Sequence, residues 1–139
     1  MPYEDEDPPY LEPDRELNAL AHAVIGVAIE VHRQLGTGLD ESLYEAGMCV
    51  EMRRQNIPFE CQVLVDVSYK GELIGQRRID LLVGGRLVVE LNAVETLSSL
   101  HMAQVRTYLK LTNCKLGLLT NFNCVLLKDG IKRIINDAT

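Results

Sequence analysis

The chain divides by the period of its apolar positions. Over residues 17–57 apolar side chains recur at helical spacing, from 61 to 94 they alternate or run together, and over 97–113 the helical spacing returns before a last strand-like stretch. In "LNALAHAVIGVAIEVHRQLG", Leu20, Val24, Val27, Ile29 and Val31 form a broad apolar surface, and Gly36 supplies a stop. This predicts a largely buried first helix, on which His22 and His32 read as ordinary helix histidines. "GTGLDESLYEAGMCVEMRRQNIP" predicts a second helix: Thr37 or Asp40 can cap it, acids crowd its first turn, Arg53 and Arg54 occupy its last, and Pro58 follows.

The next segments read as strands: "CQVLVDVSY", a turn at "KGEL", "LIGQRRIDLLV", a turn at Gly84-Gly85, and "RLVVELNAV". Leu81 to Val83 and Leu87 to Val89 are apolar on both faces, as in a sheet covered on both sides. "LSSLHMAQVRTYLKLTN" predicts a helix capped by Ser98 or Ser99, "KLGLLTNF" a short buried strand, and "VLLKDGIKRII" a hairpin turned at Asp129-Gly130. Helix, helix, three strands, helix and further strands imply an α/β sandwich of a sheet and flanking helices.

Composition adds limits. A chain of 139 residues with 47% hydrophobic content suits one domain with a real core. The net charge of −6 is carried by residues 1–16, where seven acids oppose Arg15 alone and four of the five prolines fall. Residues 1–16 are therefore expected to be a flexible acidic arm, and 17–139 a single, electrically neutral domain. A neutral body argues against a wide grip on nucleic acid, which needs clustered Lys and Arg. Cys49, Cys61, Cys114 and Cys124 lack CxxC spacing, and no secretory leader or membrane-length apolar run is present, so four reduced thiols in the cytoplasm are expected.

Chemistry centres on "RRIDLLVGGRLVVELNAVE". Asp80 and Glu90 interrupt near-continuous apolar runs, where an uncompensated acid is expensive and needs a base, a metal or both. If Gly84-Gly85 were a strict two-residue loop, the two acids would point to opposite faces. A three-residue loop with a left-handed glycine brings them to one face, and that register is the one expected. It puts Asn92 on the face of Glu90 and Arg78 on that of Asp80. Glu41 and Tyr44 on the second helix, and His101, Gln104 and Tyr108 on the later one, recur at three and four and can line one wall.

"GLDESLY" matches a GxxExxY signature, and "AIEVHRQLGTGLDESLYE", "RIDLLV", "VVELNAVE", "HMAQVRTYLKL" and "NFN" followed by "LLKDGIKRI" resemble the successive blocks of the GxxExxY protein family, from about Ala21 to Ile135. That family is placed in the PD-(D/E)XK nuclease superfamily, with an αβββαβ sandwich core; the extra N-terminal helix precedes it here. The resemblance implies that Glu41 is the acid of the first core helix, Asp80 the strand aspartate and Glu90 the acid of the (D/E)XK triplet. It makes Gln104 and Tyr108 a substrate-positioning QxxxY pair. Asp80 and Glu90 would hold Mg²⁺ or Mn²⁺ through hard oxygens.

The triplet lysine falls on Asn92, which donates a hydrogen bond but brings no charge; Arg78, then Lys115, are the candidate replacements. Two functions are therefore carried forward. One is metal-dependent phosphodiester hydrolysis of DNA, with Glu41, Asp80, Glu90 and Asn92 catalytic and Gln104, Tyr108, Tyr44 and Arg78 positioning substrate. The alternative is a catalytically inactive member, needing no cofactor, that serves as a binding or self-assembling homo-oligomer.

Overall fold

The computed structural model describes residues 13–136. Its elements run α1 (Arg15–Leu35), α2 (Glu41–Arg54), β1 (Phe59–Tyr69), β2 (Glu72–Val83), β3 (Leu87–Asn92), α3 (Ser99–Thr112), β4 (Leu116–Asn121) and β5 (Ile131–Ile135). The strands form one mixed sheet in sequence order, antiparallel except for the parallel β3–β4 pair that α3 connects. This is the expected αβββαβ sandwich, with α1 added before it and β5 after it.

Alternation along β3 decides which helix covers which face. Leu87, Val89 and Leu91 join Val24, Val27, Tyr44, Met48 and Met52 in a core under α1 and α2, while Val88 joins Val105, Tyr108 and Leu109 in a second core under α3. Removing each such side chain from water contributes roughly 1.5–3 kcal/mol, so the two cores hold the three layers together. Gly117 lets α3 lie directly on β4, since a Cβ there would stand 2.7 Å from Val105 Cγ1.

Several expectations need correction. Ile29 is 41% exposed: it falls off the buried stripe, which runs through Leu17, Ala21, Val24, Val27, Ala28 and Val31. Residues 13–16, assigned to the arm, begin the fold, because Asp14 caps α1 by accepting from the Leu17 amide at 2.8 Å and meets Arg86 at 2.6 Å. The rest of the arm, residues 1–12, lies outside the described residues. Asp40 is the N-cap of α2 but makes no side-chain cap bond. Asp129-Gly130 does not turn a hairpin of its own; Leu127–Gly130 is a 3₁₀ turn, and β5 pairs back onto β4. Ser98 caps α3, and His101 completes the cap by accepting from the Ser98 amide at 2.9 Å.

Candidate nuclease site

The turn after β2 sets the site. Val83↔Leu87 pairing leaves three loop residues, Gly84, Gly85 and Arg86, and both glycines are left-handed, with φ of 59° and 69°. The loop is odd, as expected, so Asp80 lies opposite Glu90. Backbone pairing between β2 and β3 stops at Leu81↔Val89. At the fork beyond it the two carboxylates take over: Glu90 Oε2 accepts from the Asp80 amide at 2.7 Å, and Asp80 Oδ2 accepts from the Leu91 amide at 2.9 Å.

The other edge of β2 is irregular at the same residue. Gln62 faces Asp80 between the pairs Cys61↔Leu81 and Val63↔Ile79, yet is itself unpaired and left-handed, with φ of 52°. Such backbone is unfavourable for a side chain of this size and persists only where its surroundings hold it. Here the holders are carboxylates: the Gln62 amide donates to Glu45 Oε1 at 2.6 Å and, at a longer 3.4 Å, to Asp80 Oδ1. Ile79 packs under α3, although its parity matches Leu81 and Val83 under α1 and α2. β2 therefore twists sharply at Asp80.

Charge within the fork is one-signed. Burial, then the neighbouring Asp80, push the Glu90 carboxyl up to about 8. Burial raises Asp80 as well, against the Leu91 and Gln62 hydrogen bonds that favour its charged form. Glu41 and Glu45 are raised by burial and by Asp80, with His101 opposing the rise at Glu41 and the Gln62 bond opposing it at Glu45. Among the described residues, neither Asp80 nor Glu90 has an ion-pair partner.

From α3, Gln104 donates to the Tyr108 hydroxyl at 2.9 Å, and burial followed by the negative field of Glu90 raises the Tyr108 phenol, with Arg77 acting against it. The structure thus gathers Glu41, Asp80, Glu90, His101, Gln104 and Tyr108 around one fork. Three residues join them that the sequence reading passed over. Glu45 had a signal, since it follows Glu41 by one helical turn on the same face. Gln62 and Arg77 had none, because neither the unpaired kink nor the approach of β2 to Tyr108 shows in strand alternation.

Other candidates lie elsewhere. Tyr44 is fully buried: its hydroxyl donates to the Gly36 carbonyl at 2.6 Å and its ring stacks on Phe122 with centroids 4.4 Å apart. It anchors the α1–α2 connection and does not face the fork. Arg78 is exposed and makes no bond to the carboxylates among the described residues. Lys115 lies level with the Gly84–Arg86 turn, four strand residues or about 13 Å from Glu90. The Asn92 amide donates to the Thr120 carbonyl at 3.3 Å. His32 donates from Nε2 to the Cys124 carbonyl at 2.8 Å, which bears out its reading as an ordinary helix histidine.

No three His, Cys, Asp or Glu side chains converge as a closed metal cage among the described residues. Mg²⁺ does not need one: it is usually held by one or two carboxylates, with water and substrate oxygens completing the shell. The hard, uncompensated oxygens of Asp80 and Glu90 suit that mode of binding.

A mixed sheet between helices, with carboxylates at a fork between its central antiparallel strands, is a nuclease-like architecture. A family model for the PD-(D/E)XK nuclease superfamily matches residues 18–134, and the chain belongs to that superfamily. Comparison with curated proteins and with solved structures gives no match. Among the described residues no helix is long and apolar enough to cross a membrane.

Proposed function

We propose that the fork is a phosphodiesterase centre acting on DNA, in which Asp80 and Glu90 hold Mg²⁺ or Mn²⁺. The observation that carries this reading is a buried carboxylate, Glu90, facing a half-buried one, Asp80, without a basic partner, an arrangement that costs stability and calls for a cation. When bound, the cation would polarise the scissile phosphate and acidify a water. Glu90 and Asp80 are fixed by each other's strand amides, Gln62 orients Asp80, and Glu41 and Glu45 complete an acidic wall. Gln104 holds the Tyr108 hydroxyl toward the fork, where the pair would position substrate. Arg77, whose charge acts on the Tyr108 phenol, takes the place of Arg78 in this reading and would act on a phosphate by charge alone.

The test is cleavage of labelled single- and double-stranded DNA in Mg²⁺ and in Mn²⁺ by the wild type, Asp80→Ala and Asn92→Lys. Wild-type cleavage lost in Asp80→Ala is the expected result. Cleavage by Asn92→Lys alone would mean a disarmed site.

That second outcome belongs to a second reading, a non-catalytic, self-assembling protein. It is favoured by the engagement of the Asn92 amide with Thr120 and by an apolar groove between α1 and α2, where Leu35, Leu39, Leu43 and Val50 are each at least 36% exposed. Sedimentation that finds only monomer at every concentration refutes the assembly.

A further inference from the structure

The domain is neutral only in sum. From Pro13 to Glu95 thirteen acids meet eight bases, whereas from Thr96 to the end of the chain six bases meet two acids. The fold keeps the two stretches apart: the carboxylates of the fork come from β2, β3 and α2, while α3, β4 and β5 contain no Asp or Glu. An acidic wall repels a phosphate backbone, so attraction has to come from a bound cation or from bases placed beside the wall.

α3 separates the fork from such bases. Residues two apart on a helix differ by about 200° around its axis, so Arg106 and Lys110 project from the flank opposite Gln104 and Tyr108. That flank borders β5: Leu109 shares the core under α3 with Ile134, and the Asn136 side chain donates to the Leu109 carbonyl at 3.4 Å. Lys132, paired with Leu119 in the ladder, leaves β5 on the α3 face of the sheet, whereas Arg133 leaves on the other and donates to Asn18 Oδ1 at 2.8 Å. Arg106, Lys110 and Lys132 are all exposed, and none has an ion-pair partner among the described residues. The crest of α3 between this flank and the fork carries Ala103 and Thr107, exposed and small, so a chain can cross the helix closely there.

We propose that Arg106, Lys110 and Lys132 form a backbone-binding strip for DNA, which holds a strand across the crest of α3 and leads it to the fork. Arg106 and Lys110, at i and i+4, stand roughly 5–6 Å apart at Cβ and grip successive stretches of one backbone. Such contacts give affinity and register but read no bases. That DNA is the occupant rests on the function proposed above; the strip itself stands on exposure and the placement of charge.

The test is fluorescence anisotropy of labelled single-stranded and duplex DNA with the full chain, over a range of salt, in EDTA to withhold the metal. The strip variant Arg106→Gln/Lys110→Gln/Lys132→Gln is compared with Arg53→Gln/Arg54→Gln/Lys70→Gln, which removes the same charge from the last turn of α2 and the β1–β2 turn. The strip variant should bind about tenfold or more weakly than wild type, with a slope of log affinity against log salt shallower by roughly 2–3, while the control keeps the wild-type slope. No wild-type binding at low salt, equal losses in both variants, or poly-glutamate competing as well as unlabelled DNA would overturn the proposal. Hydrolysis of bis(4-nitrophenyl) phosphate, small enough to occupy the fork alone, should be unchanged in the strip variant, whereas its KM for DNA rises. A wild type that binds through the strip yet hydrolyses neither substrate sinks the nuclease reading and leaves the strip standing.

Discussion

Glu90 shows how a single side chain can work against the fold that holds it. Its carboxyl titrates near 4.5 in the unfolded chain and near 8 in the folded one, so between those values folding takes up a proton. The stability associated with Glu90 is complete below the lower value and is lost as pH rises through the upper one, by on the order of a few kcal/mol. Glu90→Gln keeps an oxygen to accept the Asp80 amide but cannot ionise. It is expected to fall less steeply in urea-unfolding stability across that window than the wild type, although Asp80 still titrates in both. Parallel curves would refute the assignment.

Gln62 gives a second residue-scale prediction. Replacing it with alanine or glycine removes the same amide, but only glycine accepts a φ of 52° freely. Gln62→Gly should be more stable to denaturant than Gln62→Ala by about 1 kcal/mol. Equal stabilities would mean that the kink relaxes once the amide is gone.

Among the elements, the α1–α2 connection depends on Tyr44. Its hydroxyl donates to Gly36 and accepts from the Leu39 amide, so Tyr44→Phe should cost about 1 kcal/mol. Tyr44→Ala, which also removes the stack on Phe122, should cost roughly 3–5 kcal/mol. Chemical unfolding of the two variants checks both, and cleavage activity at temperatures where they stay folded should be unchanged. The spacing of Glu41 and Tyr44 placed both on one helix, but spacing cannot say that the tyrosine turns inward to a carbonyl while the glutamate faces the acids. The opposition of Asp80 and Glu90 was legible because strand parity and a glycine pair leave few registers. The Gln62 kink was not, since it is imposed by carboxylates 17 and 18 residues away. Nor was the 3₁₀ turn, because Asp-Gly suits several turn types.

For the whole molecule, two cores on opposite faces of one sheet leave the fork at the place where β2 leaves β3. The carboxylates there take over backbone pairing that the parting strands cannot supply. This ties the acids to the architecture, since removing either leaves a strand amide without its partner. The same divergence leaves β2 from Glu72 to Arg78 exposed and paired only to β1, which is itself the edge of the sheet.

A two-stranded ribbon attached at one end to a packed sheet should open without the rest of the protein. Native-state deuterium uptake should therefore form a gradient along the hairpin. The amides of Asp66–Gly75 should exchange through a local, denaturant-insensitive opening, and those of Leu81–Val83 only when the entire chain unfolds. The attachment point of that ribbon is Asp80, so each opening would tug on one of the two acids and leave the other in place.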